Sequence, residues 1–204
     1  AQVTGGKTKL KGISTGAQDL DLDTDAYGLA VGGEAALQNI TLGAAFMGGS
    51  GKTENDSVAG KDDFNYYGIS FYAKTQVQGI DLEGDVSAAW LKSDLTVGGA
   101  ADVDTDTTTA VYSLGIQAKK TFNLGVDVTP FIGMDVYHIK SDGFTTNHGV
   151  SIEDANATIV EFPIGAEVKK ALQTSSGFSV APSFSLAVVP TVGCKDIDSK
   201  VRFA

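Results

Sequence analysis

Cysteine is almost absent from this chain: Cys194 is the only one in 204 residues. A single thiol excludes an intramolecular disulfide, and with it the small stapled secreted domain. It also suits a chain that crosses an oxidising compartment without mispairing. Basic charge is scarce, with 15 Lys and Arg against 25 Asp and Glu and a net charge of -10. Nucleic acid is thereby excluded as a partner, because phosphate binding needs clustered cations. Long apolar runs are missing too. The uncharged stretch from Ala171 to Cys194 contains Pro182, Pro190 and several serines, which break any helix there. The start, Ala1-Gln2-Val3, has neither a basic nor a long apolar segment, so the chain is expected to begin inside a processed or longer protein. Its length asks for no second domain, and its 25 glycines suit close-packed strands better than helices.

What is present is period-two alternation, the primary signature of strands. Ile80, Leu82, Gly84, Val86, Ala88 and Trp90 share one face, and Asp81, Glu83, Asp85, Ser87 and Ala89 the other. The same division recurs. Tyr27, Leu29 and Val31 oppose Gly28, Gly32 and Glu34; Tyr67, Ile69 and Phe71 oppose Tyr66, Gly68, Ser70, Lys74 and Gln76. Val126, Val128, Ile132 and Met134 oppose Asp127 and Asp135; Val160, Phe162, Ile164 and Val168 oppose Glu161, Glu167 and Lys169; Phe178, Val180, Phe184 and Leu186 oppose Ser179, Ser183 and Ser185. One face is nearly free of charge throughout. A lipid-facing exterior around a wet lumen predicts that division.

Connections sort in the same way. Tight ones are expected near Gln38-Asn39, Gln78-Gly79, Thr121 to Gly125 and Thr174 to Ser176. Long polar ones are expected near Ile13 to Thr24, Gly48 to Asp62, Leu95 to Thr107, Ser141 to Ala155 and Thr191 to Ser199. Short turns on one side and long loops on the other are the outer-membrane arrangement, whereas a soluble sandwich has no reason for it. The fold class read from the residues is all-β, an antiparallel up-and-down transmembrane barrel with about ten strands long enough to cross tilted in a bilayer. Aromatics near the expected strand ends (Tyr27, Tyr67, Trp90, Tyr112, Phe178) hint at interfacial girdles.

Parity places Glu34, Asp81, Glu83, Asp85, Asp127, Asp135, Glu161 and Glu167 on the lumen side with Lys74, Lys119 and Lys169. No catalytic, cofactor or metal site is expected. His138 shares the outward parity of Met134 and Val136, His148 falls in a long loop, and Cys194 has no base beside it. The alternating Asp19, Asp21, Asp23 and Asp25, echoed by Asp102, Asp104 and Asp106, raise calcium ligation. A calcium hand starting at Asp21 would want Gly at Ala26 and Glu at Gly32, so solvated acidic loops are the expectation. Asn39-Ile40-Thr41, Asn55-Asp56-Ser57 and Asn156-Ala157-Thr158 match the glycosylation triplet, which means nothing for a bacterial barrel.

Several segments resemble the autotransporter β-domain family. Leu42-Gly43-Ala44-Ala45-Phe46 through Gly48-Gly49-Ser50-Gly51 is similar to its second hairpin, and Phe64-Asn65-Tyr66-Tyr67-Gly68-Ile69 to the next strand. Phe162-Pro163-Ile164-Gly165 resembles a later strand. Val188-Val189-Pro190-Thr191-Val192-Gly193, followed by Lys195-Asp196 and Lys200-Val201-Arg202-Phe203, resembles the late loop-and-strand signature. The resemblance implies a barrel of about twelve strands that anchors in the bacterial outer membrane and supports secretion or display of an upstream passenger. It implies as partners the lipid bilayer and lipopolysaccharide, the chain's own passenger and linker segment, and the barrel-insertion machinery. The charged lumen would then grip the linker by ion pairs; some members also use lumen acids to cleave their passenger. Two more strands and a final aromatic residue would be expected beyond Ala204, and a pore-filling linker helix before Val3, so residues 1–204 read as a partial translocator domain. The competing readings are a general porin or small outer-membrane barrel, a ten-stranded surface protease with His and acids at its rim, and a soluble β-rich adhesin.

Overall fold

The computed structural model describes residues 2–14, 19–55, 60–97, 103–145, 150–173, 179–193 and 201–203. His148, Cys194, Asp102, Phe178 and the expected turn at Thr174 to Ser176 lie outside them. In chain order the strands are β1 (Gln2–Ser14), β2 (Asp19–Leu37), β3 (Ile40–Asn55), β4 (Gly60–Val77), β5 (Ile80–Val97), β6 (Val103–Lys119), β7 (Phe122–Asn123) and β8 (Asp127–Ser141). There follow β9 (Phe144–Thr145), β10 (Val150–Ile152), β11 (Ala155–Glu161), β12 (Ile164–Lys169), β13 (Leu172–Gln173), β14 (Ser179–Val180), β15 (Ser183–Val188), β16 (Thr191–Gly193) and β17 (Val201–Phe203).

The main sheet is an antiparallel meander, β1-β2-β3-β4-β5-β6-β8, continued by β11 and β12 on β8 and by β16 and β15 on those. β11 and β12 keep one register against β8, Glu161 opposite Asp135 and Ile164 opposite Ile132. They are one strand interrupted at Pro163, which has no N–H to give the ladder while its carbonyl still accepts from Gly133 N–H at 2.8 Å. The same holds across Val189-Pro190: the Pro190 carbonyl accepts from Phe162 N–H at 2.9 Å, so β15 and β16 are also one strand. The described residues thus hold nine long strands where the alternation predicts about ten. Neither β1 nor β15–β16 has a second neighbour among the described residues.

Two-residue turns close the β2–β3 and β4–β5 hairpins, as expected. Gln78 and Gly79 both have positive φ, 52° and 75°, the backbone that matches the twist of a tight hairpin.

No side chain among the described residues is fully buried, while Leu186 and Val188 are 71 % exposed, Tyr27 68 % and Phe46 57 %. A soluble sandwich folds by burying such side chains, so the soluble adhesin reading fails here. The exposure has an order. Cross-strand register arranges the outward residues in rows, and five successive rows are predominantly apolar. The middle one runs Ala44, Phe71, Val86, Leu114, Val136, Val160 and Val192. Five rows about 6.6 Å apart along tilted strands match the apolar band of an outer-membrane barrel, roughly 25 Å tall. At its upper edge Tyr67 stacks on Trp90, ring centroids 5.4 Å apart, and Trp90 meets Tyr112 edge-on at 6.4 Å.

These aromatics are not at strand ends, and here the structure corrects the sequence reading. Most of Gly48 to Asp62, expected as loop, is ladder: Gly51 pairs Phe64, Thr53 pairs Asp62 and Asn55 pairs Gly60. The same extension carries β5 to Val97 and β6 back to Val103. Above the girdle the outward rows turn polar, first Tyr27, Ser50, Asn65, Lys92 and Thr108, then Asp25, Lys52, Asp63, Asp94 and Asp106. The acidic runs expected as loops are therefore strand: Asp19 and Asp21 lie in β2, and Asp104 and Asp106 in β6. Lys7 Nζ bridges Asp25 at 3.1 Å and Asp23 at 3.5 Å, and ion pairs join Lys52 to Glu54 and Lys61 to Asp63. No calcium-like cluster occurs among the described residues.

On the inner side of this extension Asp62 is half-buried. Ser93 Oγ donates to its Oδ2 at 3.3 Å and its Oδ1 has no partner. Burial, with smaller repulsion from Asp63 and Asp94, holds its carboxyl above the ordinary carboxylate range despite the Ser93 bond. A carboxyl raised on folding binds its proton more readily in the folded state, so stability declines as pH climbs from the ordinary value through the raised one. Asp62→Asn is expected to slow amide exchange in upper β4 and β5 by a few-fold relative to the parent at pH 7 and to change nothing at pH 3. Equal exchange at both pH values would show that the charge is harmless.

Candidate functional site: the charged inner face

Every described strand residue has one of two faces, and register fixes which. Register puts all eleven charged residues assigned to the lumen by parity on one face of the sheet, the face opposite the apolar rows. What parity could not show is their level. Glu34, Asp85, Asp135 and Glu161 fall in a single cross-strand row with Gly43, Tyr72 and Gly115 between them. One row nearer the short turns come Lys74, Glu83 and Gln117, and beyond them Gln76, Asp81 and Lys119. Asp127 and Lys169 face each other lower still, with Glu167 opposite Thr129. Above the row of four acids the inner face changes character. Ser70, Ser87 and Ser113 come first, then Met47, Gly68, Ala89, Val111, Ile139 and Ala157. Most of the charge on this face therefore lies toward its short-turn end, with Asp62 the exception far above.

Contacts within the charged zone are specific. Tyr72 Oη donates to Glu34 Oε2 at 2.8 Å, and Lys74 Nζ sits 4.4 Å from the Tyr72 ring centroid. Glu83 takes Lys119 at 3.3 Å and Lys74 at 4.0 Å. Gln76 Nε2 donates to Asp81 at 2.8 Å, and Asn123 Nδ2 to Asp127 at 3.0 Å. Gly115 is small for a steric reason: a Cβ there would lie 2.5 Å from Asp85 Oδ1 and 2.7 Å from Asp135 Oδ1. The two carboxylates thus converge over it. Tyr72 and Tyr137 belong to this surface although the sequence reading did not single them out. Their odd-even agreement with Lys74 and Asp135 was the available signal.

His138 is outward and exposed, its Nδ1 3.0 Å from Thr158 Oγ1, opposite Tyr112 in the ladder. It contributes nothing to the inner face, so the surface-protease geometry is not built around it.

A wall that is apolar outside and charged within, threaded by tight turns at one end, calls for comparison with known barrels. The family model described as the autotransporter beta-domain matches residues 1–204. The chain belongs to the autotransporter β-domain family. Two solved structures share its fold. The β-domain of the Bordetella autotransporter BrkA has a TM-score of 0.63 at 13% identity, over 94% of this chain and 79% of that one. The transport unit of the autotransporter AIDA-I from Escherichia coli has a TM-score of 0.57 at 14% identity, over 97% and 72%. No curated protein matches the chain. As an autotransporter β-domain it is an outer-membrane β-barrel that anchors a passenger domain and supports its secretion. Membership also sets the general porin aside, and the family's translocator barrels are not enzymes.

Proposed function

We infer that the charged zone of the inner face holds the chain's own linker segment, the stretch joining barrel to passenger, and guides the passenger outward without catalysis of its own. The row Glu34, Asp85, Asp135 and Glu161 carries this reading, because four acids at one level of a narrow bore attract a positively charged segment. Lys74 and Lys119 are balanced on Glu83, and among the described residues no lysine pairs directly with that row. The smooth, small-residue and apolar wall above offers little to bind and so lets chain pass. The open edges at β1 and β15–β16 suit further strands that complete the barrel, and before that the insertion machinery.

The experiment is Asp85→Asn with Asp135→Asn in the full-length chain with its native upstream segment, in cells. Surface exposure of the passenger to added protease is expected to fall several-fold, while the barrel keeps its heat-dependent shift in gel mobility. Undiminished exposure with an intact shift would rule out the acids as the linker's seat.

A further inference from the structure

Gly84 is a glycine without a conformational or steric reason. Its φ is not positive, and a Cβ there would meet nothing nearer than the Gly115 carbonyl oxygen at 3.7 Å, ordinary contact. It faces outward in the apolar belt, beside Ala73 in β4 and one row from Ala118 in β6. Together these three small residues floor a trough in the outer wall of about 630 Å³, walled by Leu82, Ile116, Ile132 and Met134. A second depression of about 300 Å³ shares Ala118 and Ile132 and leads past Ile80 and Pro130 to Lys120. Lys120 is exposed on the outward face at the short-turn margin of the belt, its Nζ 5.5 Å from the Phe122 ring. Among the described residues no carboxylate pairs with it. The other outward side chains at this level are apolar or neutral, in contrast to the acid-rich rows above the girdle.

We propose that this trough is a binding site for one phospholipid of the periplasmic leaflet, an acyl chain lying over Gly84 and the phosphate against Lys120. The occupant follows from place and charge. Most of the trough's lining residues belong to the apolar outward face, with Lys74, Glu83 and Gln117 of the charged face also contributing, so what fills it is a hydrocarbon chain. Its lower end is at headgroup depth, where a single unpaired cation beside an aromatic ring meets an anionic phosphate. A short-turn margin faces the periplasm in outer-membrane barrels, which selects a phospholipid over lipopolysaccharide.

The test is native mass spectrometry of the full-length protein extracted from outer membranes in mild detergent, then stripped and titrated with phosphatidylglycerol. The parent is expected to retain one phospholipid. Gly84→Leu, which fills the trough, and Lys120→Gln, which removes the cation, are each expected to weaken retention about tenfold, the consequence of losing one charge-assisted or one apolar anchor. Lys92→Gln, an outward lysine above the girdle, is expected to leave it unchanged. Equal retention in Gly84→Leu and Lys120→Gln, or an equal loss in Lys92→Gln, overturns the proposal. If Gly84→Leu loses its heat-dependent gel shift, Lys120→Gln alone decides.

Discussion

Leu114→Arg is expected to remove most of the folded barrel, whereas Thr108→Arg, three outward rows higher on the same strand, is expected to be nearly silent. Leu114 lies in the middle of the five apolar rows, between Val86 and Val136, and is 54 % exposed to what surrounds the wall. In water that exposure would favour the arginine. In a bilayer the guanidinium must be dragged to mid-depth, at a cost of about 2–4 kcal/mol, falling to about 0–1 near the interfaces. Thr108 stands in the polar row with Tyr27, Asn65 and Lys92, above the girdle. The measurement is urea unfolding in lipid vesicles, read by gel mobility of unboiled samples. Matching midpoints for the two variants would mean that the belt is not where the rows place it.

The second large effect concerns the inner wall. A side chain at Gly43 would run into the Tyr72 ring, whose atoms are the three nearest in its way. Tyr72 is folded flat over this glycine so that its hydroxyl reaches Glu34. Gly43→Val therefore forces the ring off the wall and breaks that bond, and overpacking of this kind costs about 1–3 kcal/mol. In a Tyr72→Ala background the obstruction is gone, so the same valine is expected to cost nearly nothing, and as a β-branched strand residue it can even stabilise. A double-mutant cycle reads the difference directly. Additive single effects would show that ring and glycine are independent.

Much of this architecture was legible in the residues because alternation in Tyr27 to Leu37, Tyr67 to Val77 and Ile80 to Trp90 is long and its two faces differ sharply. The identity of the faces and the tight turns at Gln38-Asn39 and Gln78-Gly79 followed from local pattern alone. The strand extensions did not. Gly51, Lys52, Thr53 and Glu54 read as loop since Gly and charged residues are poor strand formers, yet backbone ladders are indifferent to side chains once a partner strand is in register. The charged zone was half legible. Parity put Glu34, Asp85, Asp135 and Glu161 on one face, but their common level depends on six separate strand registers, which no single strand encodes. The trough over Gly84 was hidden for the same reason: Ala73, Gly84 and Ala118 come together only across strands.

The polar rows above Tyr67 and Trp90 give the protein a standoff. Three rows of paired backbone, about 20 Å along the strand and roughly 15 Å once tilted, rise past the headgroups as a stiff chimney braced by Lys7, Lys52 and Lys61 on their acids. On the proposed reading, polypeptide leaving the barrel is released above the lipid surface. Its first residues outside therefore emerge beyond the reach of lipid phosphates, with room to begin folding before they can adhere to the membrane they have just crossed.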